Sequence, residues 1–389
     1  MSGAASGTAS GTASGTAASH ALSALGWNQR LDAAFASWAA PGVLPARVVT
    51  EERGLVRVAT AGGEVAATLA GRLRHAAELD PTVDLPAVGD WVALSGNSAA
   101  MGGRSDGEAS TGAVVQGVLP RASAIVRRAP SDHPRPTQVL AANVDVAFLV
   151  TSLNRDFNLR RLERYLAVAW ESGARPVVVL SKADLAADVE GMRLAAEAAA
   201  PATDVVAVSA VTGDGLDAVR RHLGPGRTVV FLGSSGVGKS SLVNALAEAP
   251  LLAIAAIRED DARGRHTTTR RQLLRLGDAV VIDTPGLREL ALADSDGLAE
   301  TFDDLDRIAG DCRFRDCRHD GEPGCAVRAA VADGRLAPDR VAAFRKLERE
   351  ARRAELAGNA VARRAERRRW SAVMKSVERH MDLKYGVER

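Results

Sequence analysis

The chain has 389 residues and a formal net charge of +2, with 46% apolar and 25% charged residues. That is enough for two or three domains with real cores and excludes a fibrous or wholly disordered protein. The near-neutral balance means that any affinity for nucleic acid must come from local charge asymmetry, and aromatic residues at 4% leave few stacking platforms for bases. No run approaches the roughly 18 apolar residues of a membrane span. The N-terminus lacks the charged start and apolar block of a secretory signal. Three cysteines, an odd number, do not suggest a disulfide framework. The expectation is a cytoplasmic chain, monomeric and without a membrane partner.

Residues 1–24 open with the repeat "SGTA" and read as a disordered tail, since small polar residues bury too little surface to offset ordering entropy. Leu31, Phe35 and Trp38 recur at helical spacing and predict a short helix over 28–40. From 43 to 128 the texture is all-β. "ARVVTEERGLVRVAT", "GEVAATLAG", "VGDWVALSG" and "GAVVQGVLPRASAIVRR" are short β-branched runs between turn residues, about five strands in all. A small OB-like β-barrel is expected within a domain spanning 25–130, with the Gly/Ser-rich 95–112 as a loop.

From 143 compact apolar runs alternate with helical stretches, which predicts a parallel sheet covered on both faces over 137–300. "GSSGVGKSS" fits the phosphate-loop pattern completely, after an apolar strand and before a helix. Its residues, Gly233, Ser234, Ser235, Gly236, Val237, Gly238, Lys239, Ser240 and Ser241, are candidates to bind a nucleotide. Glycines let backbone N–H groups curl around phosphate oxygens. Lys239 reaches the β/γ-phosphates and the Ser240 hydroxyl is a Mg²⁺ ligand. "DTPG" ends a later strand. Asp283 would hold Mg²⁺ through water, and the Gly286 N–H would sense the γ-phosphate. Between them "GRHTTTR" supplies Thr268, whose hydroxyl would complete the Mg²⁺ shell.

These parts suit any P-loop NTPase; base choice needs more. In "SKAD" at 181–184, Asp184 could accept from two adjacent guanine donors, with the Lys182 stem along the base and Ser181 at its edge. "VSA" ends the next strand and offers Ser209 and the Ala210 N–H to guanine O6. Both precede the phosphate loop in the chain. In an open parallel sheet all strand carboxyl ends lie on one edge, so their loops meet in any chain order. Position 287, after "DTPG", is Leu and cannot orient water, which leaves His266 as the candidate.

Cys312, Cys317, His319 and Cys325 form C-x4-C-x-H-x5-C, the donor set of a closed structural zinc site. They fall within a charged helical region at 301–389. Between 341 and 389, 14 Lys/Arg against 7 Asp/Glu leave +7, with five arginines in "RRAERRRW". Beside a barrel and a metal module, that tail reads as a phosphate-binding surface.

Base elements first, then phosphate loop, "GRHTTT" and "DTPG", with "VGDWVAL" before and "FRDCRHDGEPGCAV" after, resemble the RsgA (YjeQ) family over roughly residues 25–389. The resemblance implies a circularly permuted GTPase binding GTP/GDP, Mg²⁺ and one Zn²⁺. It implies action in small-ribosomal-subunit maturation, with the subunit and its rRNA as partners, and a water-positioning role for His266. One departure stands out: the family's Asn is Ser181 here, which removes the amide that braces the base site. Two other readings remain open: a P-loop ATPase in which "SKAD" is accidental, and a nucleotide-gated RNA-binding scaffold with negligible turnover, suggested by Leu287.

Overall fold

The computed structural model describes residues 19–52, 54–80, 83–96, 112–128, 137–154, 157–252, 271–283 and 296–358. Helix α1 (Gln29–Phe35) starts where the Asn28 side chain accepts from the Leu31 N–H, and continues into one 3-10 turn, Ala36–Trp38. Strands β1 (Val43–Glu52), β2 (Leu55–Thr60), β3 (Gly63–Leu69), β4 (Trp91–Ser95) and β5 (Ala113–Val118) pair in the order β1-β2-β3-β5-β4, and β4 returns to β1. With helix α2 (Gly71–Leu79) between β3 and β4, this closed five-stranded ring is the OB topology expected from the sequence. Alternate residues of β5 are buried, and the barrel core is small and aliphatic: Val48, Val58, Val92, Leu94 and Val115.

The run "SAIVRR" does not join the barrel. It forms β6 (Ala124–Arg128), paired antiparallel with β7 (Thr137–Ala142) in a separate hairpin. A sequence pattern shows that a segment is a strand, not which neighbour it takes.

The remaining strands are β8 (Val146–Ser152), β9 (Arg175–Ser181), β10 (Asp204–Ala207), β11 (Thr228–Leu232), β12 (Gln272–Leu276) and β13 (Ala279–Asp283). Their order is β10-β9-β8-β11-β13-β12, parallel except for β12, which runs antiparallel to β13 as a hairpin. At its outer edge β12 meets β1 through Thr50 and Gln272, so barrel and nucleotide sheet are continuous. Helices α3 (Leu159–Glu171) and α4 (Val189–Ala199) pack on one face, α5 (Leu216–Arg220) and α6 (Lys239–Ala247) on the other. The pleat divides β8 accordingly. Ala147 and Leu149 join the α3 core, while Val146, Phe148 and Val150 join the α6 core, where Phe148 stacks on Phe231 at 4.8 Å.

Helices α7 (Asp296–Thr301), α8 (Asp303–Ala309), α9 (Ala326–Ala332) and α10 (Pro338–Gly358) close the described chain. They share the α3 core through Phe302, Leu305, Val327 and Leu347. α7 crosses α3 at Gly297, where a Cβ would stand 1.9 Å from the Ala167 carbonyl. Only glycine permits that approach.

Candidate GTP site and metal cluster

The phosphate loop joins β11 to α6. Gly233 leaves β11 at φ 153°, and a Cβ there would lie 2.3 Å from the Val150 carbonyl of β8. Gly236 and Gly238 follow at φ 82° and 94°, left-handed positions that bend the loop into a cradle. Gly238 is the N-cap of α6, and no side chain caps that end, so its N–H groups stay available to an anion. Lys239 Nζ donates to the Gly233 and Ser234 carbonyls at 2.8 and 2.7 Å. Ser234, Ser240 and Ser241 are half-buried and Ser235 exposed. Asp283 ends β13, the parallel neighbour of β11. Burial pushes its carboxyl up, and the charge of Lys239 opposes this. A hydroxyl at a helix start and a carboxylate at the adjacent strand end are hard oxygen donors of the kind Mg²⁺ takes.

The tetrad "SKAD" sits directly against this loop. The buried Ser181 hydroxyl donates to the Val237 carbonyl at 2.6 Å. Lys182, left-handed at φ 58°, donates from Nζ to the Gly236 carbonyl at 2.7 Å. Consecutive residues at the end of β9 therefore grip consecutive carbonyls of the phosphate loop. Serine at 181 keeps one link to the loop, since its hydroxyl spans to the Val237 carbonyl unaided. Asp184 is exposed in the single turn Ala183–Leu185. The Ala183 N–H donates to the Val208 carbonyl at 3.1 Å, which ties this turn to the next loop. There the buried Ser209 hydroxyl accepts from the Val211 and Thr212 N–H groups at 3.2 and 3.1 Å and fixes the backbone around Ala210. The phosphate loop, "SKAD" and "VSA" thus converge on one sheet edge. His266, Thr268, Gly286, Leu287 and the basic 363–370 lie outside the described residues.

Arg161, outside the motifs of the sequence, also reaches this loop. Its Nη1 lies 2.9 Å from Ser234 Oγ. Asn158 caps α3 by accepting from the Arg161 N–H at 3.0 Å, which sets where the side chain leaves the helix. Asn-x-x-Arg at a predicted helix start was the available signal.

Cys312, Cys317, His319 and Cys325 come together with all ligand atoms within 4.8 Å of one another. The Cys312 and Cys325 sulfurs are 4.0 Å apart, and His319 Nδ1 lies 3.6 and 3.5 Å from them. A tetrahedron with zinc–ligand bonds near 2.3 and 2.0 Å has edges of about 3.6–3.8 Å. The cluster therefore fits a zinc ion. Glu322 shapes the connecting loop. Its carboxylate accepts backbone N–H groups, including those of Arg318 at 3.1 Å and Asp320 at 2.8 Å, which holds it down at about 2.

A family model described as RsgA GTPase matches residues 118–293. The chain is 48% identical over 357 residues to a protein of Opitutus terrae named small ribosomal subunit biogenesis GTPase RsgA, a match covering 90% of this chain and 95% of that one. A Streptomyces coelicolor protein of the same name is 43% identical over 374 residues, covering 94% and 96%. Among solved structures, YjeQ from Thermotoga maritima matches with a TM-score of 0.58 at 26% identity, over 79% of this chain and 98% of that one. YloQ, described as a circularly permuted GTPase, shares the fold at TM-score 0.55 and 22% identity, over 80% of this chain and 96% of that one. The phosphate loop gripped by the tetrad "SKAD", which precedes it in the chain, together with near full-length identity above 40% to these relatives, places the chain in the RsgA family of GTPases.

Proposed function

We infer that this chain acts in the biogenesis of the small ribosomal subunit, hydrolysing GTP to GDP and phosphate at a rate set by its partner. The observation that carries the reading is the grip of Ser181 and Lys182 on the phosphate-loop carbonyls, which makes one site of two chain segments about fifty residues apart.

In this reading Asp184 accepts from the guanine edge, Lys182 lies along the base and the Ala210 N–H reaches the base oxygen. The loop from Gly233 to Ser241 holds the phosphates. Ser240, Thr268 and Asp283 would hold Mg²⁺, which supplies charge neutralisation on the β- and γ-oxygens when bound. The Gly286 N–H senses the γ-phosphate, and His266 positions the attacking water in place of the amide that Leu287 lacks. Cys312, Cys317, His319 and Cys325 hold one structural zinc with no open position. The barrel and the basic segment beyond α10 supply the rRNA-binding surfaces, and the chain works as a cytoplasmic monomer. No described helix is long and apolar enough to cross a membrane.

The direct test is Asp184→Asn, which puts a donor where guanine needs an acceptor. GDP affinity should fall at least tenfold while xanthosine diphosphate affinity rises. Unchanged GDP binding would remove the tetrad from the site and reopen the ATPase reading. Co-sedimentation with small subunits in GDP and in a non-hydrolysable GTP analogue checks the partner.

A further inference from the structure

Helix α10 reaches the metal loop through one hydrogen-bonded link among the described residues: Arg345 Nη1 donates to Asp320 Oδ1 at 3.1 Å. Asp320 follows His319 directly, so the guanidinium is fastened beside the buried imidazole. That link does not account for the whole side chain. The Asp320 carboxylate is 81% exposed, and an ion pair to so open an acid contributes little. Arg345 Nε, by contrast, is buried without an acceptor, which is a cost that a surface pair leaves unexplained.

The surroundings supply a reason. Three thiolates, a neutral imidazole and Zn²⁺ leave the filled site with a net negative charge. The neighbouring groups add to it. Glu322 is held ionised by backbone N–H groups, and Glu348 stands one turn along α10 from Arg345. The cation felt at His319 is Arg345: burial and then this charge hold the imidazole below its ordinary range, with Glu322 and Glu348 opposing.

We propose that Arg345 is the counter-cation of the metal site, a positioning residue that offsets the excess negative charge on the zinc-bound thiolates. Without it the cluster, Asp320, Glu322 and Glu348 would repel one another with no positive charge between them. Metal binding in turn converts thiols to thiolates, which gives the buried Nε–H an anionic neighbour that thiols do not provide. Arginine suits the place because it stays charged when buried, whereas lysine loses its proton readily there. Retention of zinc and the seating of α10 on the metal loop are then one property.

The proposal rests on the zinc reading above, and the test separates the two. Full-length, zinc-loaded wild type, Arg345→Met, Arg345→Lys and Asp320→Asn are compared for the rate at which zinc passes to excess pyridylazoresorcinol, a chromogenic chelator. Limited proteolysis of the region after 300, before chelator is added, checks that each starts folded. Outer partners of a metal site are worth about 10–100-fold in affinity, and the lower end applies because the Arg345 side chain is 30% exposed. Arg345→Met should therefore release zinc about tenfold faster than wild type. Arg345→Lys, which keeps a charge without the fork, should fall between. Asp320→Asn should release zinc no faster than wild type, since it removes a negative charge and leaves the guanidinium in place. Release from Arg345→Met within about twofold of wild type overturns the proposal and leaves the zinc reading standing. Equal acceleration in Asp320→Asn and Arg345→Met also overturns it, because the pair would then be only a brace for the loop. Should Arg345→Met emerge without zinc or already open to protease, the other two variants decide: faster release from Arg345→Lys than from Asp320→Asn supports the proposal, and any other order overturns it. Wild type that carries no zinc overturns both readings.

Discussion

Two buried arginines stand at the two joints of this molecule, and they are satisfied in opposite ways. Arg47 on β1 lies where the barrel meets the nucleotide sheet, 1% exposed and over the Trp91 ring at 5.5 Å. Its hydrogen-bonding partners are neutral: the carbonyls of Leu25, Gly89 and Asn143, and the Thr228 hydroxyl at the start of β11. Arg340 on α10 lies where the metal-bearing helices meet the nucleotide sheet, 6% exposed and over the Phe302 ring at 4.8 Å. Its guanidinium binds the Glu163 carboxylate of α3 at 2.9 Å, Asp304 at 2.7 Å and the Thr301 carbonyl. Burial pulls Arg47 down to about 10, against the pull of Asp145 and Asp90, while the carboxylates around Arg340 outweigh burial and raise it. Arg47 is hydrogen-bonded only to dipoles and remains a cation at neutral pH, so its removal leaves neutral acceptors without a donor and takes a positive charge away from Asp145 and Asp90. Arg340 compensates full charges, and its removal leaves the buried Glu163 of α3 with Arg160 alone.

The contrast can be broken in three places. The largest expected effect is at the metal. Cys317→Ser should take zinc from one per chain to near none and unravel the helices that present Arg340, because a cluster of thiols without a cation has no reason to stay assembled. Metal analysis with limited proteolysis of the region after 300 reads this, and a zinc-free chain that resists protease would sink the idea. Next comes Arg340→Met, which should cost up to about 3–5 kcal/mol in denaturant unfolding at neutral pH, because buried Glu163 keeps only the partly exposed Arg160 and Asp304 loses its guanidinium partner. Burial already raises the Glu163 carboxyl, with Arg160 and Arg340 opposing it, and losing Arg340 raises it further. A folded-state pKa above the unfolded value makes the buried acid a liability that is full at high pH and relieved as pH falls through the folded pKa. The deficit of Arg340→Met should therefore shrink between neutral pH and the ordinary carboxylate range, and a pH-independent deficit would contradict the role given to Glu163. The smallest effect is Arg47→Met, about 1–3 kcal/mol from neutral acceptors left without a donor, with no comparable pH dependence. If Arg47→Met costs more than Arg340→Met, the distinction between dipole-held and charge-held arginines fails.

The joints were also the least legible parts of the sequence, for a physical reason. The phosphate loop is nine consecutive residues and the metal ligands fall between 312 and 325, so local spacing carries their geometry. The partners of Arg47 lie 22, 42, 96 and 181 residues away in the chain, and no short pattern records such a set. An arginine in "ARVVTEE" looks like the solvent-facing residue of an alternating strand. Glu163 and Arg340 likewise sit in charged helical text that resembles a solvated face. The antiparallel turn of β12 and the hairpin of β6 with β7 escaped for a related reason: apolar runs report burial but not direction or partner. Ser181 is the reverse case. The missing amide is legible in the sequence, whereas the reach of the serine hydroxyl to Val237 is not.

The order of the strands also bears on how the protein is made. Strand β8, buried along its whole length, emerges from the ribosome well before its central neighbour β11. Some 75 residues separate them, so at about 5–20 residues per second one flank of β8 waits roughly 4–15 s for its partner. An open, apolar strand edge is a template for pairing with other chains. Nor can GTP close that gap, because the tetrad at 181–184 is synthesised before the phosphate loop exists. A nucleotide that stabilises the finished fold thus offers no help during its most exposed interval, which makes the newborn chain a natural client for a holding chaperone.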